Sequence, residues 1–74
     1  MKKYLFDYSK LLGKIKECSF KQDEFAKKIG LSATSFSYKI NNKRSFTQTE
    51  IINMVKYLGI LETNISEYFF KEKV

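Results

Sequence analysis

Thr34, Ser37 and Tyr38 place three hydroxyls three or four residues apart, and Ala33 adds a bare methyl beside them. On a helix that spacing is one face. Hydroxyls that both donate and accept, with methyls to meet a thymine methyl, are the chemistry that reads base edges in a major groove. A polar run follows at once, Asn41, Asn42, Lys43 and Arg44, with Lys39 just before it. Amides, ammonium and guanidinium are the groups that hold backbone phosphates. Lys39, Asn41, Asn42, Lys43 and Arg44 are therefore candidate backbone clamps; their plainer reading is a solvated loop. Lys27 and Lys28 can flank a phosphate or merely solvate a surface. Ser32, where a helix start aims free N–H groups outward, is a further candidate backbone contact, with a second reading as a helix cap alone, and Tyr38 has a second reading at the core edge.

These residues need two short helices and a tight elbow to hold them. Residues 22–41, QDEFAKKIGLSATSFSYKIN, supply that pattern. It is the pattern of a helix-turn-helix, whose second helix lies in a DNA major groove. Ala26 and Gly30 stand where side chains have no room: Ala26 where the helices cross, Gly30 where the chain leaves the first helix and glycine is cheapest in a left-handed conformation. Phe25, Ile29, Leu31, Phe36 and Ile40 are the apolar residues that knit the pair to a core. Ser32 is a good N-cap, with Leu31 and Phe36 as a hydrophobic staple.

The rest of the chain reads as three more helices. One follows Asp7 as N-cap, with Tyr8, Leu11, Leu12, Ile15 and Cys18 on one stripe. Gly13 lies inside it and is a place for a neighbouring helix to come close. The helix-turn-helix opens near Lys21, with Ser19 and Gln22 as a capping box; a later start puts Lys21 at the cap, which is unfavourable. Thr47–Glu50, TQTE, is a capping box, with Phe46 and Ile51 as its staple. Ile51, Ile52, Val55 and Leu58 are the predicted buried stripe of that helix, and Gly59 ends it. A fifth short helix is predicted from Asn64, with Glu67 completing a second box. Tyr4 to Phe6 is the one candidate extended stretch. Tyr68, Phe69 and Phe70 span about 200° of a helix. A small monomer struggles to bury all three, which makes them candidates for a dimer interface.

Seventy-four residues make one domain, 1–74, with a modest core. The net charge of +6, from 14 Lys/Arg against 8 Asp/Glu, fits a polyanion-binding surface, or a lysine surface kept for solubility. There is no histidine, one cysteine and no glycine-rich phosphate loop. No serine has a base beside it other than lysine, and Asp23 and Glu24 point about 100° apart on a helix. The expectation is a protein that is not an enzyme, with no metal, no cofactor and no small-molecule ligand. No apolar run is long enough to span a membrane and no signal-peptide pattern opens the chain. A cytoplasmic location is expected, with Cys18 as a buried reduced thiol.

Five short helices in a row, with the second and third as a helix-turn-helix, resemble the DNA-binding domain of the Cro/CI-type (XRE-like) phage repressors. The resemblance rests on Gln22, Phe25, Ala26, Ile29, Gly30, Leu31, Ser32, Phe36, Ile40 and the 41–44 loop. The flanks, DYSKLLGKI at 7–15 and SEYFF at 66–70, are similar to small Cro-like proteins of phages of Gram-positive bacteria. The resemblance implies an all-α, lambda-repressor-like fold and a repressor that binds double-stranded operator DNA as a homodimer in the nucleoid of a bacterial host. It gives Gln22 a phosphate beside the recognition helix, and gives base contacts to Ala33, Thr34, Ser37 and Tyr38. Two departures stand out. The third helix has neither Gln nor Arg, and Lys39 takes a usually apolar place, which rotates the expected readout face. The alternatives are an antitoxin or another transcriptional regulator with this fold, or an antirepressor that binds protein through its aromatic C-terminus.

Overall fold

Helix ends, more than helix middles, organise this chain. The computed structural model describes residues 5–72, and these hold five α-helices: α1 (Ser9–Glu17), α2 (Gln22–Lys28), α3 (Ala33–Ile40), α4 (Gln48–Leu58) and α5 (Ile65–Phe69). A 3-10 turn, Glu62–Asn64, leads into α5. The fold is all-α, and the extended pairing among the described residues is a single antiparallel bridge between Phe6 and Glu72. Tyr4 lies outside the described residues.

Each of the first four helices closes the same way. One residue turns left-handed, and the N–H after it reaches back to a carbonyl five residues earlier. Gly30 (φ 83°) and Gly59 (φ 65°) do this after α2 and α4, with Leu31 N donating to Ala26 O at 2.8 Å and Ile60 N to Val55 O at 3.1 Å. After α3 the left-handed residue is Asn42 (φ 64°), with Lys43 N donating to Tyr38 O at 2.8 Å. After α1 it is Ser19 (φ 63°), with Phe20 N donating to Ile15 O at 3.1 Å. The carbonyls orphaned at a helix end are thereby satisfied, and after α1, α2 and α4 the apolar residue that follows, Phe20, Leu31 or Ile60, is turned inward, whereas after α3 it is the exposed Lys43. Serine is a costly choice there, because its Cβ crowds the following carbonyl.

The starts follow local chemistry in two cases. Ser32 accepts from Ser35 N at 3.1 Å, and Thr47 and Glu50 make the reciprocal capping box. The other expected boxes do not form. Ser19 is spent on the turn after α1, so α2 starts behind Lys21 with no side-chain cap. Asn64 sits in the 3-10 turn, and Glu67 is paired instead with Lys10 of α1. Asp7 serves α1 from one residue further out, its Oδ1 accepting from Ser9 N at 2.9 Å.

The core is a line of aromatic rings. Phe20, Phe25, Phe36 and Phe46 touch in sequence, with centroids 5.5, 6.0 and 5.9 Å apart. Phe46 then meets Tyr8 at 5.4 Å and Phe69 at 6.4 Å. Phe46 is also the staple of α4, so one loop ring joins the α2–α3 pair to α1 and α5. Leu11, Ile15, Ala26, Met54 and Leu58 fill the space around this line. Several sequence expectations change here. Ile52 is 53% exposed, and the buried turn of α4 is carried by Met54. No atom lies within 4 Å of a Cβ built on Gly13, so no helix packs closely there. The same is true at Gly30, where glycine is required by the left-handed backbone and not by lack of room. Cys18 is half-buried at the end of α1.

Candidate functional site

α2 packs on α3 and on α1, and the elbow between α2 and α3 is set by Gly30 and Ser32. Ala26 is fully buried between these helices. Ala33 and Thr34 are exposed, Ser37 is half-buried, and Tyr38 is 42% exposed. Phe36 faces the opposite way, into the core. The four residues expected to form a readout face thus lie outward on α3. Gln22 and Ser32 are exposed at the starts of their helices, and Ser32 is also occupied as a cap. Lys27 and Lys28 are exposed on α2, with the Lys28 ammonium 5.7 Å from the Phe20 ring and 6.0 Å from that of Tyr57.

The basic run is divided. Lys39 turns inward and is 8% exposed. Its Nζ donates to both carboxylate oxygens of Glu50, at 2.6 and 2.8 Å. Burial opposes ionisation of Glu50, but hydrogen bonds from Lys39 and Thr47 outweigh it and hold the carboxyl below its ordinary value. Lys39 therefore joins α3 to the start of α4. That is the physical reason the expected surface cation is absent from the α3 face. Asn42 is engaged too: its Nδ2 donates to Phe6 O at 2.9 Å and its Oδ1 accepts from Phe6 N at 2.8 Å. Asn41 Nδ2 donates to Ser37 O at 2.8 Å.

Lys43 and Arg44 remain exposed, both stacked near Tyr38, at 6.0 and 5.7 Å from its ring centre. Two cations thus accompany the exposed Tyr38 ring. The exposed surface of α3 and its loop is an aromatic ring, two hydroxyls and two positive charges.

The C-terminal aromatics separate as their adjacency requires. Phe69 is sealed in the core at 2% exposure, while Tyr68 is half-buried with Lys10 Nζ 5.1 Å from its ring centre. Phe69 is thereby removed from any dimer interface, and Phe70, 53% exposed, is the ring left over. Phe70 meets Phe6 edge-on at 6.1 Å. Between the arm at Phe6, the α3–α4 loop and α5 lies a cleft of about 390 Å³. Phe6, Tyr8, Phe46, Ile51 and Phe69 form its floor, and the exposed Phe70, Lys43 and Arg44 stand at its rim. Sequence reasoning did not find this cleft, because it is closed by the pairing of Phe6 with Asn42, 36 positions away.

Residues 4–72 match the family described as "Protein of unknown function (DUF739)". The chain belongs to this family. Among solved structures it is similar to the solution structure of the modulator of repression (MOR) of the temperate bacteriophage TP901-1 from Lactococcus lactis. The identity is 42%, with 88% of each chain covered and a TM-score of 0.75. No curated protein matches the chain significantly. Among the described residues there is no group of three His, Cys, Asp or Glu placed to hold a metal, and no helix long and apolar enough to cross a membrane.

Proposed function

We propose that the chain is a phage regulatory protein of the modulator-of-repression kind, one that works by contacting a repressor protein. The observation that carries this reading is the 42% identity over 88% of both chains to a protein named for modulating repression. The α3 surface supports it. The face has no Arg or Gln to make a bidentate base contact. Lys39 and Asn42, two of the expected phosphate clamps, are spent on Glu50 and Phe6. What stays exposed, Tyr38 with Arg44 and Lys43 near its ring, includes a tyrosine and an arginine, residue types enriched at protein interfaces. Such a role needs no catalysis and no cofactor, and belongs in the cytoplasm of a bacterial host.

A second reading is direct operator binding with α3 in the major groove. It is favoured by the outward placement of Thr34, Ser37 and Tyr38 and by the net charge of +6. Homodimerisation, if it accompanies either role, has Phe70 as its available ring. One experiment separates the readings. Occupancy of an operator by the phage's own repressor is followed as the chain is added, and the chain alone is titrated against the same duplex. A change in repressor occupancy, with no binding by the chain alone, supports the first reading. A chain that binds alone, with log K falling against log salt at a slope near about −5, supports the second.

A further inference from the structure

We propose that the cleft beside Phe70 is a recognition groove that receives an apolar side chain from a short acidic segment of the partner protein. The inference rests on the reading above for its partner being a protein. Its volume, about 390 Å³, falls within the range of pockets that take a large side chain or a small ligand. Phe6, Tyr8, Phe46, Ile51 and Phe69 give it an apolar floor, and Phe70 at its edge is half out in solvent. A large exposed ring at the lip of an apolar groove is surface that water leaves readily when covered. The lining contains no carboxylate, while Lys43 and Arg44 stand at the rim.

Those two cations are also positioned. Both lie near the Tyr38 ring, and the adjoining Asn42 amide ties the loop to the arm at Phe6. The groove is thus a hydrophobic socket with a fixed positive edge. Its complement is a Leu or Phe flanked by Asp or Glu, with the apolar side chain in the socket and the carboxylates on Lys43 and Arg44. A nucleic-acid backbone uses the rim and leaves the floor uncovered. A second copy of this chain docked groove to groove brings another positive rim toward the first, so the two grooves do not complement each other.

The test uses the full chain and a fluorescein-labelled acidic peptide, Glu-Asp-Glu-Leu-Phe-Asp-Glu-Glu, read by anisotropy and by ¹⁵N shift mapping. Saturable binding is expected, with shifts at Phe6, Asn42 to Phe46 and Phe70. Replacing the peptide's Leu-Phe by Ala-Ala, or Phe70→Ser in the protein, should weaken it at least about tenfold, as should Lys43→Glu with Arg44→Glu. Far-UV circular dichroism checks that the variants fold; should Phe70→Ser melt early, the charge pair alone decides. No saturable binding overturns the proposal, as does equal affinity for the Ala-Ala peptide. Displacement of the peptide by single-stranded oligonucleotide with shifts confined to the rim makes the site a nucleic-acid contact and overturns it too. So do shifts that change on dilution of the protein alone, which mark self-association. Cleft variants that lose the peptide but still alter repressor occupancy of its operator refute the groove's role while leaving the proposed function standing. Variants and native chain that both fail to act on the repressor refute the proposed function itself.

Discussion

Removing the Glu50 carboxylate should cost this domain a large part of its stability. The carboxylate accepts both hydrogen bonds from the Lys39 ammonium and one from Thr47 N at 2.9 Å. Glu50→Ala breaks the capping box, worth about 1 kcal/mol. It also strands an ammonium at an 8% exposed residue. The low end of the range for an orphaned buried charge is about 3 kcal/mol. Together the loss is about 4 kcal/mol, against a total near 4–11 kcal/mol for a chain of this length at about 0.05–0.15 kcal/mol per residue. Adding Lys39→Met removes the stranded charge and fills the stem's volume, so the double variant should regain about 2 kcal/mol over Glu50→Ala. Urea denaturation followed by far-UV circular dichroism reads both quantities. A loss of only about 1 kcal/mol, or no recovery on adding Lys39→Met, would show that the ion pair contributes nothing beyond the cap and refute the reasoning.

Other consequences are quicker to state. Gly30→Val should lose about 1–3 kcal/mol from left-handed strain alone, since no atom lies within 4 Å of the added Cβ; an unchanged melting curve contradicts it. Ser19→Gly should raise stability by about 1 kcal/mol, because serine at φ 63° is strained where glycine is not, and a lower melting temperature would contradict that. Glu50 titrates below its ordinary 4.5 in the folded chain, so its contribution is intact above that pH and fades as pH drops through the lowered value. An acid unfolding curve in which native and Glu50→Gln proteins lose stability in parallel from pH 6 to 2 would refute this. Thr34→Ala with Ser37→Ala should leave melting unchanged and weaken association with a repressor; equal association would move the contact surface away from α3.

What the sequence made legible was local. TQTE reads as a cap because Thr47 and Glu50 meet within one turn, and Gly30 and Gly59 read as stops because few other residues sit left-handed. The adjacency of Phe69 and Phe70 already implied that one ring stays outside. What escaped was decided by distant partners. Glu67 has the spacing of a capping residue, but Lys10, 57 positions away, takes it. Lys39 looked like surface charge because lysines usually are; its counter-ion was visible only as a cap. Asn42 looked like a phosphate ligand until its amide met the Phe6 peptide. Ile52 and Met54 exchanged roles because α4 faces the core through positions 51, 54, 55 and 58, a phase that an apolar run containing both isoleucines does not settle. Ser19 carries no sign of its left-handed turn, since serine is common at caps and uncommon there.

The most direct measurement is calorimetric titration of the purified chain into the purified repressor of the same phage, with no DNA in the cell. Contact with that protein predicts a saturable heat of defined stoichiometry, and a flat trace when the chain is titrated into operator duplex alone. A flat trace with the repressor and a saturating one with the duplex would contradict it.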